Sequence, residues 1–197
     1  MTFDALQEML TRHAWQQVTS QAPRAAVALV LHDRTQDRGD WELLFIRRAA
    51  HPQDPWSGHM AFPGGRIEAA DPNSRAAAQR ECQEELGFDP GVHGRYLGRL
   101  SDLQAMASGR IVPLVIEPFL FAVPTLPLLR PDPAEVEEAL WIPLRFFQQP
   151  EHRSVFDYRH DQHTYALPCY HWQGRRIWGL SLRMLDEFLA LLPPPTA

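Results

Sequence analysis

Three glutamates are the residues of this chain best suited to chemistry: Glu81, Glu84 and Glu85, in the stretch Arg80-Glu81-Cys82-Gln83-Glu84-Glu85-Leu86-Gly87. Spacings of three and four put all three carboxylates on one face of a helix. Like charges at that spacing repel, by roughly 0.2–0.5 kcal/mol per pair when exposed. Arg80 can reach Glu84, but with the cation N-terminal to the anion, which is the weaker order. The stretch therefore gathers negative charge without balancing it. A solvated acidic face is one outcome. A hard divalent cation is the other: Mg²⁺ takes oxygen ligands, keeps several waters, and is shared between a few carboxylates and substrate phosphates. Gly64-Gly65, just upstream, favours the cation, because glycine lets backbone approach a ligand closely and permits positive φ.

These carboxylates need a helix, and the helix needs a sheet. Asp71 suits the N-cap, Pro72 the first helical position and Gly87 the stop. Ala77, Ala78, Cys82 and Leu86 form an apolar stripe beside the acidic face, able to pin the helix to a sheet. Ala25 to Leu31 is a continuous apolar run, fit for a strand buried on both faces. Trp41 to Ile46 reads as a second buried strand, after a turn over Thr35 to Asp40. Met60 to Phe62 is a short strand running into Pro63-Gly64-Gly65. Tyr96 to Leu103, Ile111 to Val123 and Val136 to Ile142 read as further strands, and Phe156 to Trp178 as two or three short ones. Phe3 to Val18 is a short amphipathic helix, able to cap the core or to serve a homodimer contact. Leu180 to Leu192 is a closing helix, ended by Pro193-Pro194-Pro195. Strands and helices mix irregularly, so the class is α/β or α+β with a mixed sheet.

Composition bounds the function. The 197 residues carry a net charge of −5, which speaks against a nucleic-acid or membrane-surface binder. All 19 basic residues are Arg, which removes lysine Schiff-base and P-loop mechanisms. Two Cys make no disulfide framework, and a reducing, cytoplasmic setting is the expectation. No apolar run is long enough to span a membrane. His160 and His163 stand three apart, with no partner at zinc-ligand spacing. Neither Ser nor Cys has an oriented base in the sequence.

The segment from Gly65 to Phe88 resembles the Nudix box, whose second half reads Arg-Glu-apolar-x-Glu-Glu-x-Gly-apolar. Arg80 to Phe88 matches that half, and Gly65 fits the opening glycine. Asp71 stands where the box has an isolated Glu, and one extra residue separates it from Arg80. The segments Ala61-Phe62-Pro63-Gly64-Gly65, Ser108 to Val115, and Arg176-Ile177-Trp178-Gly179 are similar to the coenzyme A pyrophosphatase branch of that family. The resemblance implies an α/β/α sandwich with the box helix packed on a mixed sheet. It divides the chain into a helical extension (1–22), a Nudix domain (23–192) and a frayed tail (193–197).

The resemblance further implies hydrolysis of a nucleoside diphosphate linked to a moiety X, with Mg²⁺ or Mn²⁺. It assigns Glu81, Glu84, Glu85 and the Gly64 carbonyl to the metal, and Arg80 to orienting the carboxylates. The base lies in the box or in a later loop, where Glu135 ranks ahead of Glu137 and Glu138. Arg47, Arg48 and Arg110 are the candidates for holding the substrate's phosphates, with Gly64 and Gly65 at the same site. Trp56 or His59 can stack on a base. Coenzyme A or an acyl derivative is the implied substrate, giving adenosine 3′,5′-bisphosphate and 4′-phosphopantetheine. Other nucleotides, or a module that binds one without turning it over, are the alternatives.

Overall fold

A computed structural model describes residues 1–34, 40–52, 54–107 and 109–194. The turn expected at Thr35 to Asp40, Ser108, and the end of the tail fall wholly or largely outside these residues.

The central strand is the apolar run. β1 (Arg24–Asp33) is buried from Ala25 to its end, as a strand sandwiched between two helical layers must be. β2 (Trp41–Arg48) pairs antiparallel with the end of β1, Leu31 opposite Leu43. The two strands then diverge. β3 (Met60–Ala61) takes the outer part of β2, and β4 (Gly64–Arg66) takes the beginning of β1, with Val27 opposite Gly64. The Gly-Gly segment is thus a sheet strand set into the fork between β1 and β2.

After β4 come α2 (Ser74–Leu86), β5 (Arg95–Arg99), β6 (Leu103–Ala107) and β7 (Arg110–Val123). β7 runs parallel to β1 from Val115 to its end, with Leu29 opposite Leu120. Its other edge carries β6 on the first half and β5 on the second. β8 (Val136–Pro143) closes the far side of β2. The result is a mixed sheet, as expected.

Side chains alternate along β1. Ala26, Ala28 and Val30 meet Ala77, Ala78, Cys82 and Leu86 of α2, the apolar stripe read from the sequence. Ala25, Val27, Leu29 and Leu31 point to the other face. There they meet Leu6 and Leu10 of α1 (Phe3–Arg12) and Leu182, Leu185 and Phe188 of the closing helix α4 (Gly179–Leu191). Helix, sheet, helix is the sandwich that the resemblance implied. Between β8 and α4 lie a single helical turn, α3 (Leu144–Phe147), and a small antiparallel sheet. That sheet consists of β9 (Arg153–His160), β10 (His163–Trp172) and β11 (Arg175–Trp178).

Three expectations need correction. The first helix stops at Arg12, not Val18. Beyond it the backbone finds other partners: Gln16 N–H donates to Ser101 Oγ, and Val18 N–H to the buried Asp102 carboxylate. The expected strand from Tyr96 to Leu103 is two strands, β5 and β6. The break falls where Asp102 turns inward to pair with Arg24 and Arg99, so its backbone leaves the ladder. The α2 N-cap is Asn73, whose Oδ1 accepts from Ala76 N–H at 2.9 Å. Asp71, the expected cap, lies two residues before Asn73 and is bound to Arg80 instead.

Candidate active site

β4 and α2 build the site together. β4 is held to β1 by its strand pairing, and α2 lies over both. Two and three turns into α2, Glu81 and Glu85 point at the Gly-Gly strand. Glu85 accepts a hydrogen bond from Gly64 N–H, 2.9 Å to Oε2. The Glu81 carboxylate lies against Gly65, where any Cβ would collide with it. Gly65 is therefore required for close approach. Gly64 is required twice over, since its φ is +151° and a Cβ there would strike the Ala26 carbonyl and Val27. At the other end of α2, Gly87 adopts the left-handed conformation (φ 78°) and returns its N–H to the Gln83 carbonyl, the stop read from the sequence.

The three glutamates differ in environment. Glu85 is 1% exposed, and burial pushes its carboxyl up to about 8. The negative charges of Glu81 and Glu135 add to that rise, while Gly64 N–H and Arg48 oppose it. Glu81 is also raised, first by burial, with Arg80 pulling the other way. Glu84 sits at the rim with its side chain 56% exposed.

Arg80 holds this arrangement. Its guanidinium grips Asp71 with two nitrogens at 2.9 and 3.0 Å, and also reaches Glu84 at 2.7 Å, Glu81 at 3.0 Å and the Arg66 carbonyl at 3.0 Å. Such bidentate pairs fix orientation as well as charge. Asp71 is correspondingly held below the ordinary carboxylate range, chiefly by that bond. The acidic face is thus partly balanced, contrary to the sequence reading. The balancing force comes from a residue anchored outside the helix.

The remaining candidates separate. Arg48 lines a cavity of about 380 Å³ that also touches Gly64 and Gly65, and it is paired with Asp54 at 2.8 Å. Glu135 is exposed, yet near enough for its charge to raise both Glu81 and Glu85. Its carbonyl accepts from Ala49 N–H, which ties its loop to the end of β2. Arg47 faces Glu137 at 3.1 Å, and Glu138 is bound by Arg175. Arg110 is placed elsewhere: it pairs with Asp161 at 3.6 Å and lines a second cavity of about 730 Å³. Trp56 and His59 border both cavities. Burial lowers the His59 imidazole from its usual range.

Sequence reasoning missed Asp54 as the partner of Arg48, the grip of Asp71 on Arg80, and Trp178 as a wall of both cavities. An acid shortly before a helix, with an Arg in its second turn, was the available signal for Asp71.

The donor set suits a hard cation. Among the described residues no three His, Cys, Asp or Glu side chains form a ready-made cage. Two buried carboxylates on adjacent turns, beside a glycine strand, instead make an open half-site of oxygen atoms. Magnesium-type ions are bound that way, with waters and substrate phosphates completing the shell. A dication there would also offset the burial and the neighbouring negative charge that raise both glutamates.

A family model for the NUDIX domain matches residues 22–160. The human mitochondrial coenzyme A diphosphatase NUDT8 is 31% identical over 88% of this chain and 72% of its own length. An uncharacterized Schizosaccharomyces pombe protein, C14C4.10c, is 34% identical over 68% of this chain. The match spans only 46% of that relative, about half its length. Among solved structures, a MutT/nudix family protein from Enterococcus faecalis aligns over 97% of this chain and 70% of its own, with a TM-score of 0.55 at 14% identity. That likeness shows the fold alone. The box helix on its glycine strand, the sandwich around it and the family match lead to one conclusion: the chain belongs to the Nudix family of hydrolases.

Proposed function

We propose that the protein hydrolyses the diphosphate of coenzyme A or an acyl-coenzyme A, giving adenosine 3′,5′-bisphosphate and 4′-phosphopantetheine. The observation that carries the reading is the buried pair Glu81 and Glu85 on Gly64-Gly65, whose glycines line a cavity together with Arg48. The similarity to a coenzyme A diphosphatase over most of the chain supports the choice of substrate.

Glu81, Glu84 and Glu85, with the Gly64 carbonyl, would hold Mg²⁺ or Mn²⁺. When bound, the ion neutralises the charge of the diphosphate and activates water. Arg80, fixed by Asp71, orients the carboxylates. Arg48 supplies positive charge on the cavity side, poised by Asp54. Glu135 is the candidate to accept the proton of the attacking water as one P–O bond forms and the bridging P–O bond breaks.

The test is a panel of purified substrates with the products resolved by chromatography: coenzyme A, acyl-coenzyme A, a nucleoside triphosphate and a nucleotide sugar. The expected result is equimolar adenosine 3′,5′-bisphosphate and 4′-phosphopantetheine from coenzyme A. Turnover of another diphosphate with coenzyme A untouched would overturn the choice of substrate.

A further inference from the structure

The second cavity lies outside the chemistry described so far. The family match ends at residue 160. β10, β11 and α4 follow that point, and they supply Tyr165, Leu167, Trp178 and Leu182 to this cavity. Trp56 and Met106 complete the apolar wall from the opposite side. The small sheet and closing helix therefore add a chamber to the fold that performs the hydrolysis.

The chamber adjoins the cavity at the glycine strand and shares a wall with it. Pro55, Trp56, His59, Trp178 and Leu180 line both cavities. Its aromatic walls are braced. The Trp178 ring packs against His59 at 4.9 Å, Phe156 at 5.1 Å and Tyr158 at 5.2 Å. Trp56 donates its indole N–H to the Met106 carbonyl at 3.2 Å, which ties the loop before β3 to β6. Its lining is mostly apolar, with charge from Arg110, which pairs with Asp161, and from Arg183 and Asp186 of α4. Two apolar wall residues stay open to solvent: Met106 is 44% exposed and Tyr165 48%. A chamber with braced, mostly apolar walls beside the proposed diphosphate site fits an apolar chain at the far end of the substrate.

We propose that this cavity is the subsite for the acyl chain of an acyl-thioester substrate, with Leu167, Trp178 and Met106 as residues that set chain-length preference. The inference rests on the coenzyme A reading for what joins chain to diphosphate, but its test does not need turnover.

The test titrates the full-length protein calorimetrically with S-acyl pantetheines from acetyl to octanoyl, which carry no diphosphate. The expected result is affinity rising with chain length, by up to about fourfold per added methylene, the limit set by full burial of a CH₂. Leu167→Glu should flatten that rise. It should also lower the ratio of kcat/KM for octanoyl- over acetyl-coenzyme A. If Leu167→Glu does not fold, Leu167→Trp, which fills the chamber, should cap the rise at shorter chains. Affinity independent of chain length, or an unchanged slope in the variants, would overturn the proposal. A slope without coenzyme A hydrolysis would uphold the subsite and sink the substrate reading. Coenzyme A hydrolysis without a slope would do the reverse.

Discussion

Glu85 occupies a place where ionisation is costly, because burial and two neighbouring carboxylates raise it to about 8. Glu85→Gln keeps the shape and can still accept the Gly64 N–H, but it cannot offer a charge to a cation. The variant should lose turnover by about 1,000-fold, while its metal-free melting temperature stays level or rises. Steady-state rates and thermal melts check both. Gly65→Ala tests a different contact. Its methyl group would push the Glu81 carboxylate off the strand. Displacements of about 1 Å can cost 100-fold in rate, and a loss of that order is expected, with far-ultraviolet circular dichroism unchanged. The three glutamates were legible in the sequence because their spacing is their face. Their inequality was not, because it depends on β4, whose Gly65 and Gly64 lie sixteen and twenty-one residues before the glutamates they touch and are placed there by pairing with β1. A spacing argument treats Glu84 and Glu85 as equals, whereas the fold leaves one at the rim and buries the other.

At the scale of the helix, α2 separates capping from positioning. Asn73 satisfies the first turn, so Asn73→Ala should cost about 1 kcal/mol in urea unfolding and leave the rate per folded molecule intact. Asp71→Asn should act on the site, with a fall of roughly 10- to 100-fold in metal affinity or kcat/KM per folded molecule, the usual cost of losing an outer-shell partner, alongside some loss of stability because the folded protein holds the Asp71 carboxyl low. A common effect of both substitutions on activity would contradict the separation. The sequence placed the helix and its stop correctly, because the apolar stripe and Gly87 are local signals. It misplaced the start, because Asp71, Asn73 and Ser74 are all acceptable caps by type. Only the position of the Arg80 guanidinium decides among them. With the extra residue between them, Asp71 and Arg80 are still paired.

For the whole molecule, the raised acid makes stability depend on pH with a definite sign. Glu85 binds its proton more tightly when folded than its ordinary value near 4.5 implies. Its contribution is fully present below about pH 4.5 and is lost as pH rises through about 8. The metal-free protein should therefore lose melting temperature between those limits, and Glu85→Gln should lose less. A divalent ion should restore the loss most strongly at the alkaline end, because its binding displaces the Glu85 proton. The sandwich was readable from the buried run of β1 and the amphipathic helices, since both patterns follow from which faces meet water. The small sheet's place beside the site was not, because nothing in the local pattern of Phe156 to Trp178 says which part of the main sheet it covers. The break at Asp102 was hidden for a similar reason. A single acid in an apolar stretch reads as a tolerated edge residue until Arg24 and Arg99, from two other strands, are seen to enclose it.

The central claim is that the glycine strand and the two buried acids of α2 together make a cation site. Titration of Mn²⁺ followed by the paramagnetic resonance of the free ion measures that directly. With the wild-type protein at pH 8, the free signal should fall in proportion to the sites added, and the Glu85→Gln and Gly65→Ala proteins should leave it much higher. Equal uptake by wild-type and Glu85→Gln protein, with both folded, would contradict the account.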